Sequence, residues 1–280
     1  MDPADADEAR ARKKRAFFRV RVSILLVVLL GVVFYAVRDL RSRMARNDWD
    51  RTVDVALVLV TVRGTPPVDD DAIAALRARV PALEARLEAE MRRHAPERAI
   101  RPFTLRVFGP VEAPTAAPTP QGDGPPDLAK QALDLARWLH ELDPRAGVEP
   151  KHHDTRIYLT LTRPASTERM SIEGLSEEGG RIGLVDVELD ATMVDLALFV
   201  VTHELMHTLG ATDKYDAKGL ARVPDGLAEP DRAPLYPQRF AEIMTRSRPL
   251  SPTEGVAPAS LDELAVGART AREIGWTAGR

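Results

Sequence analysis

The 280-residue sequence has no cysteine, which excludes disulfides, thiolate-ligated zinc and a thiol nucleophile at once. Aromatic residues are sparse at 5%, and no internal repeat is visible. An excess of positive charge is also missing outside the N-terminus. Residues 1–48 carry 11 basic and 6 acidic side chains (+5), so the total of −3 leaves −8 for residues 49–280. A domain of that charge is a poor nucleic-acid binder, and no nucleic-acid partner is expected. What remains is ordinary: 44% hydrophobic and 29% charged residues describe a globular chain of one or two domains. The 22 prolines point to long irregular connections.

One long hydrophobic run is present. Val22–Val37 reads VSILLVVLLGVVFYAV without a charge, slightly short of the ~20 residues of a spanning helix. Val20 and the snorkelling Arg19, Arg21 and Arg38 extend it. Seven basic residues precede the run and four follow it. That bias predicts a cytoplasmic tail over 1–21, a transmembrane anchor over 22–38 and an extracytoplasmic remainder, periplasmic or extracellular. A cleaved signal peptide is the competing reading, but Phe34 and Tyr35 stand where small residues should mark cleavage.

Beyond a short spacer at Asn47–Arg51, residues 49–280 read as one domain. Strands are expected at Thr52–Val62, Phe103–Phe108, Arg156–Thr162 and Arg181–Leu189, from their β-branched and alternating composition. Helices are expected at Asp69–His94, broken or kinked at Pro81, and at Asp127–Leu142. The Pro/Ala/Gly stretch 112–126 has no capacity for a core and reads as a surface loop. The order of elements predicts an α+β fold, a mixed sheet backed by helices.

Thr192–Asp195 reads as a capping box opening a helix to about Leu209. Its body, LALFVVTHELMHTLG, is apolar nearly all round, yet holds His203, Glu204 and His207. Residues four apart share a helix face, so the two imidazoles can meet at one point. Glu204 lies about 100° further round the helix, placed to reach a water on a metal rather than to ligate it. This is the H-E-x-x-H arrangement of two zinc-binding histidines with a glutamate base. Gly210 ends the helix, and Asp213, six residues past His207, can return to complete a three-ligand zinc site. Glu229 or Glu242 is the alternative third ligand. A non-catalytic membrane-anchored scaffold with a structural metal, or none, is the alternative function.

HELMHTLGATD resembles the elongated zinc signature of the metzincins, H-E-x-x-H-x-x-G-x-x-H, in the form with Asp as third ligand found in snapalysin-like bacterial proteases. The resemblance covers about Ala191–Trp276. It implies a zincin-like fold with an active-site helix and a C-terminal helix, a bound Zn2+, and hydrolysis of a peptide or protein substrate with Glu204 as general base. It also implies a methionine turn beneath the metal, matched by Met244, 31 residues after Asp213 and before a helix opened by Ser260–Glu263. Some metzincins carry a tyrosine two residues after that methionine; Arg246 stands here instead, which leaves Tyr215 or Tyr236 as a possible oxyanion stabiliser. From chain order, Arg181–Glu188 is the expected edge strand for an extended substrate.

Overall fold

The computed structural model describes residues 3–119, 124–164, 172–176 and 179–277. The chain divides into two compact units, Met1–Ala45 and Arg46–Arg280. The first consists of helix α1, Pro3–Arg46, whose last residue belongs to the second unit. Within α1, Phe17–Arg38 is long and apolar enough to cross a membrane, and its apolar side chains, such as Leu26 and Leu30, are exposed. This segment is consistent with a single anchor or a signal sequence.

The second unit is built on a five-stranded sheet. Strands β1 (Val53–Val62), β2 (Phe103–Ala113), β3 (Thr155–Thr162), β4 (Ile172–Ser176) and β5 (Ile182–Glu188) lie in the order β2-β1-β3-β5-β4. The four strands β2, β1, β3 and β5 are mutually parallel, and β4 runs antiparallel to β5 at the edge. Helix α2 (Asp70–His94) joins β1 to β2 and α3 (Pro125–Ala146) joins β2 to β3. The expected α+β class is thereby refined to a mixed α/β arrangement, because helical crossovers join the first three strands in parallel. The 112–126 stretch is shared between the end of β2, a loop, and the start of α3; its residues 120–123 lie outside the described ones.

Helices cover both sheet faces. Val55, Leu57 and Leu59 of β1 point into the larger core with α2, while the alternate Ala56, Val58 and Val60 meet Trp138 and Leu142 of α3. Burial on both faces explains why β1 reads as a continuous aliphatic run rather than a strict alternation. Pro81 does not divide α2, which runs unbroken from Asp70 to His94.

Helix α4, Val194–Thr208, packs against β4 and β5 on the α2 side, burying Leu198, Val201, Leu205 and Met206 completely. The expected capping box is absent at its start. Met193 is the N-cap without a side-chain bond, the amide and hydroxyl of Thr192 donate to Asp190, and Asp195 instead pairs with Arg79 of α2 at 2.7 Å. The remaining elements are the short strands β6 (Ala241–Glu242), β7 (Arg248–Ser251), β8 (Glu254–Val256) and β9 (Leu264–Ala265), followed by α5 (Ala268–Glu273). Ser260 accepts from the Asp262 amide and caps a single 3-10 turn rather than the final helix.

Residues 47–51 are not a free spacer. The Trp49 indole is 2% exposed, donates to the Ile274 carbonyl at 2.7 Å and meets Phe103 and Trp276 edge-on. Arg46 is equally enclosed, donating to the carbonyls of Gly179 and Gly180 at 2.8 and 2.6 Å.

Candidate metal centre

The end of α4 determines where the site can form. The Ala211 amide returns to the Met206 carbonyl and the Gly210 amide to that of His207, which is the Schellman closure of a helix. Gly210 has φ +94°, a left-handed conformation that a side chain resists. The sharp reversal brings the next segment back along the helix, where the Ala211 carbonyl lies 2.8 Å from His207 Nδ1.

His203 has the same kind of support from a different element. Its Nδ1 lies 2.8 Å from the carbonyl of Ile243, which precedes Met244. A carbonyl only accepts, so each Nδ1 carries the proton and each Nε2 is left with its lone pair when the imidazole is neutral. Those two Nε2 atoms face one another at 3.1 Å. Oδ1 of Asp213 lies 3.3 Å from both.

Three donor atoms therefore form a nearly equilateral triangle. For a tetrahedral zinc with bonds of about 2.0–2.1 Å, adjacent ligand atoms should lie about 3.3 Å apart. The triangle is of the size that a metal would impose. The two imidazoles and the carboxylate oxygen converge on one point, an arrangement that a protonated imidazole or a metal cation would stabilise. His203, Glu204 and His207 by themselves form a group able to hold a metal ion.

The charge balance matches. Burial opposes ionisation of the Asp213 carboxyl, but the two adjacent imidazoles hold it well below the usual carboxylate range. Burial likewise lowers the proton affinity of His207, and the Asp213 carboxylate and Ala211 carbonyl outweigh it and raise it. Negative charge is concentrated where the nitrogen donors meet.

Glu204 is 3% exposed, and its Oε2 is buried without a hydrogen-bond partner among the described residues. A buried, unpartnered carboxylate oxygen beside an open cavity is suited to a bound water. The carboxylate lies against Gly174 of β4, where an added Cβ would overlap it. β4 was not expected from the sequence, and its discovery moves the sheet edge: β5 is covered, and β4 is the edge strand beside Glu204. The only sequence signal for this approach was a glycine inside a short Ile/Leu-containing stretch.

Met244 is fully buried, and the backbone around it serves both sides of the site. The preceding carbonyl orients His203, and the Met244 carbonyl accepts from the Lys214 amide at 2.9 Å, just past Asp213. Tyr215 stacks on His203, with ring centroids 6.5 Å apart, and lines the cavity; Tyr236 does not line it. Glu242 is turned away, its oxygens taken by the amides of Met244 and Gly267 and by the Thr270 hydroxyl. Glu229 pairs with Arg239 at another cavity. Neither replaces Asp213 in this arrangement.

The three converging donor residues line a cavity of about 580 Å3 whose walls include Leu196, Phe199, Val200, Thr245 and Arg246. No family model matches this chain, and no curated protein matches it.

Proposed function

We propose that the second unit is a metallohydrolase whose ion is held by His203, His207 and Asp213. More specifically, it is a zinc peptidase of metzincin type with aspartate as third ligand. The observation that carries this reading is the triangle of Nε2, Nε2 and Oδ1, with edges of 3.1, 3.3 and 3.3 Å. Three protein donors beside an open cavity favour a catalytic site over a structural one, which would close around four.

Zinc bound there supplies Lewis acidity, making water a stronger acid and a carbonyl carbon a better electrophile. Glu204 takes the proton of the attacking water at Oε2 and passes it to the leaving amine. The low exposure of Glu204 keeps bulk water from competing for that proton. On this reading Tyr215, which stacks on His203 at the cavity wall, would stabilise the developing oxyanion. An extended substrate adds to the outer side of β4, where main-chain bonds would fix its register beside Glu204.

The same reading makes residues 1–21 a cytoplasmic tail and 22–38 the anchor, with the catalytic domain and its peptide or protein substrates on the extracytoplasmic side. The test is metal analysis together with hydrolysis of a mixed peptide library, with and without chelator. About one zinc per chain and chelator-sensitive cleavage are expected. Glu204→Gln should keep the zinc and lose cleavage, whereas Asp213→Ala should lose both. A well-folded chain that takes up no zinc would refute the assignment.

A further inference from the structure

Arg246 is an exposed residue on the wall of the same cavity. Several other arginines of the fold face a carboxylate: Arg79 faces Asp195, Arg239 faces Glu229, Arg248 faces Glu263 and Arg269 faces Glu273. Arg246 makes no ion pair among the described residues. Its guanidinium instead sits 5.2 Å from the centre of the Tyr215 ring, and that ring is stacked on His203.

The cation is therefore held on a rigid aromatic shelf rather than on a free stem. Holding the side chain in advance lowers the entropy lost on pairing. Within the cavity, Glu204, Asp213 and both histidines are committed to the metal centre, and Leu196, Phe199 and Val200 are apolar. Arg246 is left as the charged lining group with no assigned partner. A guanidinium presents a planar fork that matches a carboxylate through two parallel hydrogen bonds. The guanidinium is 5.2 Å from a ring that is itself 6.5 Å from the His203 ring, and an extended chain advances ~3.4 Å per residue, so the fork lies within about four residues of a scissile bond at the centre.

We propose that Arg246 is a specificity residue that binds a carboxylate of the substrate, carried either on an acidic side chain or on the C-terminus of the peptide. This rests on the peptidase reading above. The net charge of −8 over residues 49–280 opposes it only weakly. A diffuse field of that kind is screened within about 8–10 Å, while the fork acts at contact.

The test uses the full zinc-loaded chain in detergent and matched peptides. Each peptide carries Asp or Glu, or the corresponding amide, at one position near the cleaved bond, and each is made with a free or an amidated C-terminus. A carboxylate should raise kcat/KM about tenfold, chiefly through KM. That preference should fall to about one in Arg246→Gln and be only partly restored in Arg246→Lys, which keeps the charge but not the fork, with zinc content equal in all three. Response to the side-chain series identifies an acidic residue as the source, and response to the amidated series identifies the chain terminus. Cleavage without a carboxylate preference, or a preference that survives in Arg246→Gln, overturns the proposal and leaves the peptidase reading intact. Calorimetric binding of the same peptides to the zinc-loaded chain separates the two failures. Carboxylate-dependent binding through Arg246 without any hydrolysis sinks the peptidase reading and keeps the subsite. Neither binding nor hydrolysis sinks both.

Discussion

Glu273 grips Lys214 at 2.6 Å, and the same carboxylate accepts the amide of Thr212 at 3.0 Å. Both neighbours of Asp213 are thus tied to the C-terminal helix, although Asp213 itself makes no bond to that helix. Lys214 also donates to the Thr212 carbonyl and hydroxyl, which closes a small buried network around the third donor. The loop after α4 owes its position to this clamp as much as to Gly210.

Loss of the clamp should therefore weaken metal binding without unfolding the domain. Glu273→Gln keeps the size of the side chain but removes the charge facing Lys214. It is expected to reduce zinc affinity about tenfold, the low end of what outer-shell partners contribute. Competition with a chelator dye measures this, and an unchanged affinity would show that Asp213 is held by other means.

Gly174→Ala addresses Glu204 from the opposite side. A methyl group at that point of β4 overlaps the Glu204 carboxylate, so the carboxylate must leave its present position. Peptide cleavage should drop by roughly 10²–10⁴-fold, the usual contribution of a general base, with zinc retained. Full activity in a folded Gly174→Ala protein would contradict the placement of Glu204 against the edge strand.

The start of the second unit can be tested by truncation. A fragment beginning at Arg46 keeps the bonds to Gly179 and Gly180 and the indole of Trp49. A fragment beginning at Arg51 loses them. Removal of a buried tryptophan costs about 3–5 kcal/mol, so the shorter fragment should unfold at markedly lower denaturant concentration or fail to fold. Equal midpoints would mean that residues 46–50 are dispensable.

Asp195 joins three elements, bonding Arg79 of α2 and the Leu261 amide from the start of α4. The Arg79 guanidinium lowers its pKa, and burial opposes this. A carboxyl whose folded pKa lies below the unfolded value stabilises the fold fully above about pH 4, and that stabilisation disappears as pH falls through the folded pKa. Asp195→Asn should cost about 1 kcal/mol at neutral pH, because the pair is partly exposed. The gap to the wild type should narrow as the pH falls below 4. A gap that stayed constant with pH would remove the ionic contribution.

Much of the site was legible in the sequence because its pieces are local. The spacing of His203 and His207 follows from 3.6 residues per helical turn, and Gly210 marks a helix end wherever it stands. β1, β2, β3 and β5 were readable as strands, though not in their parallel pairing, from their β-branched and alternating runs. β4 was not, since Ile172–Ser176 has only two large apolar residues and takes its strand form from pairing with β5. The expected box at Thr192–Asp195 failed for a related reason: Arg79, 116 residues away, takes the Asp195 carboxylate that the local motif would have used. His153, just before β3, is buried and lies 2.5 Å from Asp54 of β1, a contact 99 residues away in the chain that no local pattern records.

The sequence by itself determined the pair of imidazoles, the glutamate beside them and the apolar N-terminal helix, because each depends only on residues close in the chain. Tertiary structure alone decided which carboxylate completes the triangle, which strand forms the edge, and which carbonyls aim the two histidines. The Ile243 carbonyl reaches His203 from 40 residues away, while Ala211 and Asp213 are near His207 in the chain but depend on how the loop after α4 turns, and no local periodicity records either. They exist only once the sheet and the helix at its edge have packed.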